Sequence, residues 1–181
     1  MVRKLIERIR QKDQQAMKML YQMYVEELSS VCYRYVSSVE DAKDVLQNSF
    51  VKILTSIACL DYRDEASFKG WMKKIVANEA LIYLKDRRKL MFAEQEAANL
   101  QTESDDGEPQ TEQLSTEELH RLITELPDGY RTVVNLFVFE GYSHKKIAEM
   151  LDISESTSAS QLYYAKRHLA KKIKDITDTQ R

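Results

Sequence analysis

The stretch from Ser143 to Leu169 constrains the fold more than any other part of the chain. Apolar residues recur at intervals of three and four on both sides of a break only a few residues long, which is the period of amphipathic helices. These residues are Ile147, Met150 and Leu151 before the break and Leu162, Ala165 and Leu169 after it. Hydroxyls at Ser143 and Ser154 can cap the two helices. The pattern predicts a helix-turn-helix, whose second helix normally enters the major groove of DNA. An ordinary αα-hairpin that only packs a core would show the same period.

Composition favours an all-α protein. The 181 residues include only four glycines and two prolines, too few for the many turns of a sheet. No apolar run reaches membrane-spanning length, and Cys32 and Cys59 show no metal-binding spacing. We therefore expect a cytoplasmic protein with reduced thiols, no membrane insertion and no cofactor.

The charge is divided along the chain rather than balanced. The net charge of −2 combines +5 over residues 1–90, −9 over residues 91–118 and +2 over residues 119–181. Two mildly basic blocks therefore flank a strongly acidic connector, and either block could face nucleic acid.

The first block, residues 1–90, predicts three or four helices. Asp13 is a plausible cap for a helix whose apolar stripe runs from Met17 to Tyr35. Ser38 opens the next helix with a capping-box pattern. The first turns of that helix expose a polar face, which by itself is typical of any solvated helix surface: Asp41, Asp44, Gln47 and Asn48.

A long helix from a Ser67 cap to about Lys89 combines aromatic rings with cations. Rings that stack on bases and cations that meet phosphates are what single-stranded nucleic acid needs. The candidate residues are Phe68, Trp71, Lys74, Asn78, Arg87 and Arg88. The alternative is that Phe68 and Trp71 are buried beneath a basic, solvated helix end.

Residues 91–114 lose helical periodicity and predict a flexible acidic linker between two domains. The second domain, 115–181, begins with a capping box at Ser115 and a staple between Leu114 and Leu119. We expect four helices in it. The second of them, from Tyr130 to Phe139, should pack Val133, Val134 and Phe137 inward before Gly141 ends it.

Four segments, taken in order, resemble a known family. They are the stretch from Ala16 to Tyr24, E-D-A-K-D-V-L-Q-N-S-F from Glu40, S-F-K-G-W-M-K-K-I-V-A-N from Ser67, and L-P-D-G-Y-R-T-V-V-N-L-F-V-F-E-G-Y-S-H-K-K-I-A-E-M-L from Leu126. With the acidic linker between them, they resemble the extracytoplasmic-function class of bacterial sigma-70 factors over nearly the whole chain.

The resemblance implies roles for the first domain. The polar face at Asp41, Asp44, Gln47 and Asn48 would bind the clamp coiled-coil of core RNA polymerase. The loop before Ser67 and the helix after it would read the −10 element and capture a flipped base, with Asn78 in a base-contacting position. The acidic linker would enter the RNA path of the polymerase, and an anti-sigma factor would be a further partner.

The helix after Ser154 would then read double-stranded DNA at the −35 element. The residues assigned to it are Ser158, Ser160, Gln161, Tyr163, Tyr164, Lys166 and Arg167. The sequence departs from the family pattern here, because Ala159 and Tyr164 stand where Lys or Arg is common. Direct base contact would fall to Ser160, Gln161, Tyr163 and Lys166. Asp152 replaces the usual turn glycine, and Asn48 replaces a common acidic residue. Asp tolerates positive φ better than most residues.

Three other classes compete with a sigma factor that directs transcription initiation. A stand-alone helix-turn-helix regulator would not need the acidic linker or the first domain. An enzyme is disfavoured because His120, His144 and His168 are scattered and no phosphate loop or nucleophile pattern exists. A protein that only binds an anti-sigma factor would lack promoter activity of its own.

Overall fold

The computed structural model describes the backbone of residues 1–95 and 115–179 and the side chains of 1–86, 115 and 118–176. All regular elements within these ranges are helical, as predicted. The chain divides into two compact units, Met1–Tyr83 and Leu84–Arg181. The division falls before the predicted boundary at residue 90, so the domain limits 1–90, 91–114 and 115–181 stay a prediction. Within the described ranges, none of the helices combines the length and apolarity that crossing a membrane requires.

The first unit contains three helices, one short 3₁₀ turn and the part of a fourth helix up to Tyr83, beyond which that helix continues. They are α1 (Val2–Arg10), α2 (Gln14–Tyr35), α3 (Val39–Ser56), the 3₁₀ turn (Ile57–Cys59) and α4 (Glu65–Gln95). The predicted caps are confirmed. The Asp13 carboxylate accepts from the backbone N–H groups at the start of α2, and the Ser38 hydroxyl accepts from Asp41 N at 3.3 Å. A capped start fixes where the buried stripe of each helix begins.

The apolar stripe of α2 forms the core of the first unit, as its period predicts. Its buried members are Leu20, Tyr24, Leu28, Val31 and Tyr35. Tyr21 is the exception, since 47% of it is exposed while its ring packs 4.7 Å from that of Phe50. Burial of the stripe raises the pKa of Tyr24 to about 12 and that of Cys32 to about 11, so both stay neutral at physiological pH.

Helix α4 differs from the prediction at both ends. The cap is Asp64 rather than Ser67, because the Asp64 carboxylate accepts from both Ser67 N at 2.8 Å and Ser67 Oγ at 2.9 Å. These bonds favour the charged carboxylate and lower the pKa of Asp64. At the other end the backbone stays helical to Gln95, so residues 91–95 of the predicted linker belong to α4. The rest of that linker lies outside the described residues.

The second unit contains the four predicted helices. They are α5 (Thr116–Thr124), α6 (Asp128–Val134), which continues into a π-helical turn (Asn135–Phe139), α7 (His144–Leu151) and α8 (Glu155–Thr179). The capping box at Ser115 and Glu118 is confirmed in both directions. Leu114, one half of the predicted staple, lies outside the described residues.

A buried arginine joins α5 to α6. The Arg131 guanidinium donates to the carbonyl oxygens of Thr124 at 2.8 Å and Leu126 at 2.9 Å, and it bonds the Asp128 carboxylate. Helix C-termini leave carbonyl groups without intrahelical partners, and this side chain satisfies them. A nearby ion pair, Lys172 to Glu125 at 2.6 Å, ties α8 to the end of α5.

The π-helical turn overturns the predicted position of Phe137. Val133, Val134 and Leu136 are buried, but 37% of Phe137 is exposed. One extra residue in a turn rotates the following side chains by about 100°, which carries Phe137 out of the core. Its ring instead stacks on His144, with centroids 4.6 Å apart. Gly141 ends the segment with φ +71°, as expected of a left-handed terminus.

The predicted joint between α7 and α8 is confirmed in detail. Asp152 adopts left-handed φ 57° and ψ 48°, and Ile153 N donates back to Ala148 O at 3.1 Å. Ser143 accepts from Lys146 N at 3.3 Å and Ser154 from Thr157 N at 2.9 Å, so both helices are capped. The turn is therefore closed by local hydrogen bonds on each side.

We expect the joint to tolerate Asp152→Gly and to reject Asp152→Val. Glycine reaches positive φ without a Cβ clash, whereas a β-branched residue pays the full left-handed penalty of about 1–2 kcal/mol. Hydrogen exchange of the α7 and α8 amides, read by mass spectrometry, measures the local opening free energy. Lys145→Val controls for a β-branched residue at an exposed helical site. Equal protection in the two Asp152 variants would contradict this account of the turn.

Candidate nucleic-acid and polymerase interfaces

Helix α8 has one face that packs inward and one that meets solvent. The inner positions recur every three or four residues and are all buried: Ser158, Leu162, Ala165, Leu169 and Ile173. The other side of the helix carries exposed residues, among them Ser160, Tyr163, Lys171 and Lys174, and Lys166 is exposed at its flank. This exposed side, called the outward face below, begins directly after the joint at Asp152 and is accessible to a groove of DNA.

Ser158 does not belong with the predicted DNA contacts. It is 0% exposed, and its hydroxyl lies 3.0 Å from Nδ1 of His144. The pattern of small polar residues at the start of α8 hid this, because Ser156, Ser158 and Ser160 look alike in the sequence. The helical period turns Ser158 toward α7, and it is removed from the set.

The two neighbouring tyrosines of α8 point to different surroundings. Tyr163 is 57% exposed, with the Arg167 guanidinium 5.8 Å from its ring centroid. The Tyr164 ring stacks on Tyr130 of α6 at 6.3 Å and is half-buried. Only Tyr163 thus presents a broad aromatic surface outward, with Arg167 beside it.

Gln161 is half-buried at the edge of the outward face. Its Oε1 is buried and has no hydrogen-bond partner among the described residues. A buried polar atom without a hydrogen-bond partner costs free energy. A rotation of this side chain that brings Oε1 to a donor outside the unit would therefore be favourable.

An aromatic row lies at the start of α4. The Phe68 ring has centroids of three other rings within 6 Å: Tyr24 at 5.9 Å, Tyr62 at 5.9 Å and Trp71 at 5.7 Å. Phe68 is only 2% exposed, so it is a core residue and its predicted contact with a base is wrong for this conformation. Trp71 and Tyr62 are half-buried and form the accessible edges of the row.

Two residues of this region were not foreseen. Tyr62 lies in the loop before α4, and the Arg3 guanidinium of α1 sits 5.5 Å from its ring centroid. Tyr62 carried a signal, an aromatic residue in a loop that precedes an aromatic helix. Arg3 carried none, since α1 and this loop are far apart in the sequence.

The lysines of α4 fall into two groups. Lys73 pairs with Glu27 of α2 at 2.7 Å, and Lys69 lies 3.7 Å from the same carboxylate. Both cations lower the pKa of Glu27. Lys74 is exposed and makes no ion pair with the described residues. Of these three lysines at the start of α4, Lys74 is therefore the one available to a ligand.

Trp71, Lys74 and Asn78 share one face of α4, at positions i, i+3 and i+7. Lys74 and Asn78 are exposed, so a ring edge, a cation and an amide follow one another along the helix. The side chains of Arg87 and Arg88, predicted to continue this surface, lie outside the described residues.

The predicted polymerase-binding face of α3 is exposed except at its start. Asp44, Gln47 and Asn48 meet solvent, whereas Asp41 is half-buried. Val51, one turn further on, is 56% exposed on the same side and was not predicted. An apolar residue out of step with the helix period is the signal that could have found it.

Comparison with known proteins agrees with both halves of this description. A model of sigma-70 region 2 matches residues 20–90, and a model of sigma-70, region 4 matches residues 116–169. The extracytoplasmic-function (ECF) RNA polymerase sigma-E factor of Haemophilus influenzae is 32% identical, with 95% of each chain covered. The ECF RNA polymerase sigma factor SigW of Bacillus subtilis is 25% identical and covers 97% of this chain and 98% of its own.

Among solved structures, the sigma factor RpoE from Bartonella quintana, in complex with the anti-sigma factor NepR, covers 87% of this chain and 96% of its own. Its TM-score is 0.49 at 20% identity. The region 2 match over residues 20–90 removes the stand-alone helix-turn-helix alternative, because such a regulator has no use for that region. The chain belongs to the ECF subfamily of the sigma-70 RNA polymerase sigma factors.

Proposed function

We propose that this sigma factor docks on core RNA polymerase through α3, holds the melted −10 strand against α4 and reads the −35 duplex with α8. One observation carries the proposal: a single chain holds two different surfaces suited to nucleic acid. The outward face of α8 has the shape that a major groove admits. The surface formed by Tyr62, Trp71, Lys74 and Asn78 has aromatic rings, a positive charge and an amide, which suit the binding of single-stranded DNA.

The −35 contacts that we propose are Ser160, Gln161, Tyr163 and Lys166, with Arg167 beside them. An amide such as that of Gln161 can pair with adenine, and apolar contacts favour the thymine methyl group. Lys166 and Arg167 supply few phosphate contacts, so the electrostatic part of binding is small. We therefore expect weak binding by this unit alone and a −35 preference that depends on shape and direct base contact.

The −10 contacts act after the strands separate. Trp71 and Tyr62 offer ring edges to an unstacked base, and Lys74 offers a cation to the backbone. The Asn78 amide has both donors and an acceptor, which suits the Watson–Crick edge of an extruded base. Phe68 supports this surface from within the core rather than touching DNA.

The polymerase contact centres on α3. Asp44, Gln47 and Asn48 lie in the turns before the exposed Val51 on the same side of the helix, and interfaces commonly combine apolar and polar contacts in this way. The clamp coiled-coil of the core enzyme is the partner that we propose for it. The acidic segment 91–118, with net charge −9, suits a basic channel of the polymerase.

In this proposed function the chain binds its partners and catalyses no reaction itself. Sigma factors in general are not enzymes, and the polymerase forms and breaks the bonds. We infer that the chain works in the cytoplasm, where polymerase and promoters are found. An anti-sigma factor that competes with the core enzyme belongs to the same proposal.

Substitutions on α8 should separate base contact from phosphate contact. Gln161→Ala should cost on the order of 1–3 kcal/mol at a matched −35 element and little at a scrambled one. Lys166→Ala should weaken both promoters alike and flatten the salt dependence by about one unit of slope. Holoenzyme binding over a salt series measures both effects. Lys18→Ala, which removes an exposed cation from the first unit, is the matched control. Wild-type behaviour of both α8 variants would reject the assignment.

Asn78→Ala should leave the closed promoter complex intact and reduce the open complex, because its base becomes available only after melting. A lost base contact of about 1–3 kcal/mol predicts at least a several-fold reduction. Permanganate reactivity of unpaired thymines, compared at equal promoter occupancy, is the measurement. Gln22→Ala removes an exposed amide from α2 and is the control. If Asn78→Ala gives the same reactivity as wild type, Asn78 is an ordinary surface residue.

A further inference from the structure

Within the described part of the chain, a side-chain hydrogen bond joins α7 to α8. His144 is the first residue of α7, and its Nδ1 lies 3.0 Å from the hydroxyl of Ser158, one turn into α8. Ser158 is 0% exposed. The tautomer of His144 decides which atom donates. On its other side, the His144 ring stacks on Phe137 with an interplanar angle of 19°, so the ring plane is held from the π-helical turn.

The buried apolar side chains of these two helices interact in a different way. Ile147 of α7 and Leu162 and Ala165 of α8 are buried apolar groups. Apolar attraction follows the area removed from water and has no preferred direction, so such surfaces can slide or rotate at small cost. A hydrogen bond weakens steeply outside a narrow range of distance and angle.

The bond therefore adds a second fixed point to the helix-turn-helix. The first is the joint, where Asp152 and the bond from Ile153 N to Ala148 O hold the end of α7 against the start of α8. His144 lies at the opposite end of α7. Two fixed points at the two ends of α7 define the direction of α8 relative to α7, whereas one point would leave only non-directional packing to set that angle.

We propose that His144 and Ser158 form a positioning pair that sets the angle at which α8 enters the −35 element. This inference rests on the proposed role of α8. Proteins usually take their register on DNA from phosphate contacts, and the first part of α8, from Glu155 to Ala165, contains no Lys or Arg to make them. The internal bond compensates, because Ser160, Gln161 and Tyr163 can reach their bases only if the helix direction is already correct. The pair touches no DNA.

The test compares holoenzyme transcription from two promoters that differ only in the −35 element, one matched and one scrambled. Both derive from one promoter that wild-type holoenzyme uses, whose start site is mapped from the 5′ end of its transcript. Ser158→Ala removes the hydroxyl. His144→Phe keeps an aromatic ring for the stack on Phe137 but removes the nitrogen. The third variant combines both changes, and Thr124→Ala, which loses a local hydroxyl bond in α5, is the control.

Each single variant should lower the matched-to-scrambled ratio by roughly two- to tenfold, the equivalent of one net hydrogen bond. The double variant replaces both polar partners by apolar groups, which restores thermal stability. Its ratio should nevertheless stay low, because the apolar pair has no preferred direction. Thr124→Ala should keep the wild-type ratio.

A double variant that regains both stability and the wild-type ratio would overturn the positioning role and leave a purely structural one. Single variants with the wild-type ratio would overturn it as well. If a single variant fails to fold, the double variant still decides the question. A wild-type ratio of one would instead defeat the proposed −35 role of α8, which is a distinct failure.

Discussion

The buried face of α8 is the surface on which the second unit is built. Helices α5, α6 and α7 all contact α8, and its inward positions from Leu162 to Ile173 lie in the core. The helical period that buries these positions exposes Ser160 and Tyr163 on the other side, with Lys166 exposed at the flank. Core packing and the proposed nucleic-acid surface are thus two sides of one element. A change that rotates α8 to improve its packing would turn the recognition face away from DNA.

Ion pairs within the protein reduce the number of cations that can contact a ligand. Residues 1–90 carry a net charge of +5, yet Glu27 already engages Lys69 and Lys73. On α8 the cations begin only at Lys166 and Arg167, after three turns without Lys or Arg, and the segment 91–118 adds −9. Neither surface has the cation density that tight independent DNA binding requires. The affinity for DNA rises when a third protein holds both weakly binding surfaces in place, because each surface then acts at a high effective concentration.

Local rules predicted much of this structure. The caps at Asp13, Ser38, Ser115, Ser143 and Ser154, the stripe of α2 and the left-handed turn at Asp152 each follow from short segments. The errors involve longer range or competition between neighbours. Ser158 needed the helix phase relative to α7, and Phe137 needed the π-helical turn. Asp64 displaced Ser67 as the cap of α4, and the contact of Arg3 with Tyr62 joins distant segments. Sequence periodicity carries no information on these pairings.

The central claim is that the free protein holds two weak DNA surfaces and that core RNA polymerase makes them effective. Footprinting of one promoter with the free protein and with the reconstituted holoenzyme, at equal protein concentrations, tests it most directly. The account predicts no sequence-specific protection by the free protein and protection from −35 to −10 when core enzyme is added. A tight, sequence-specific footprint without polymerase would contradict it.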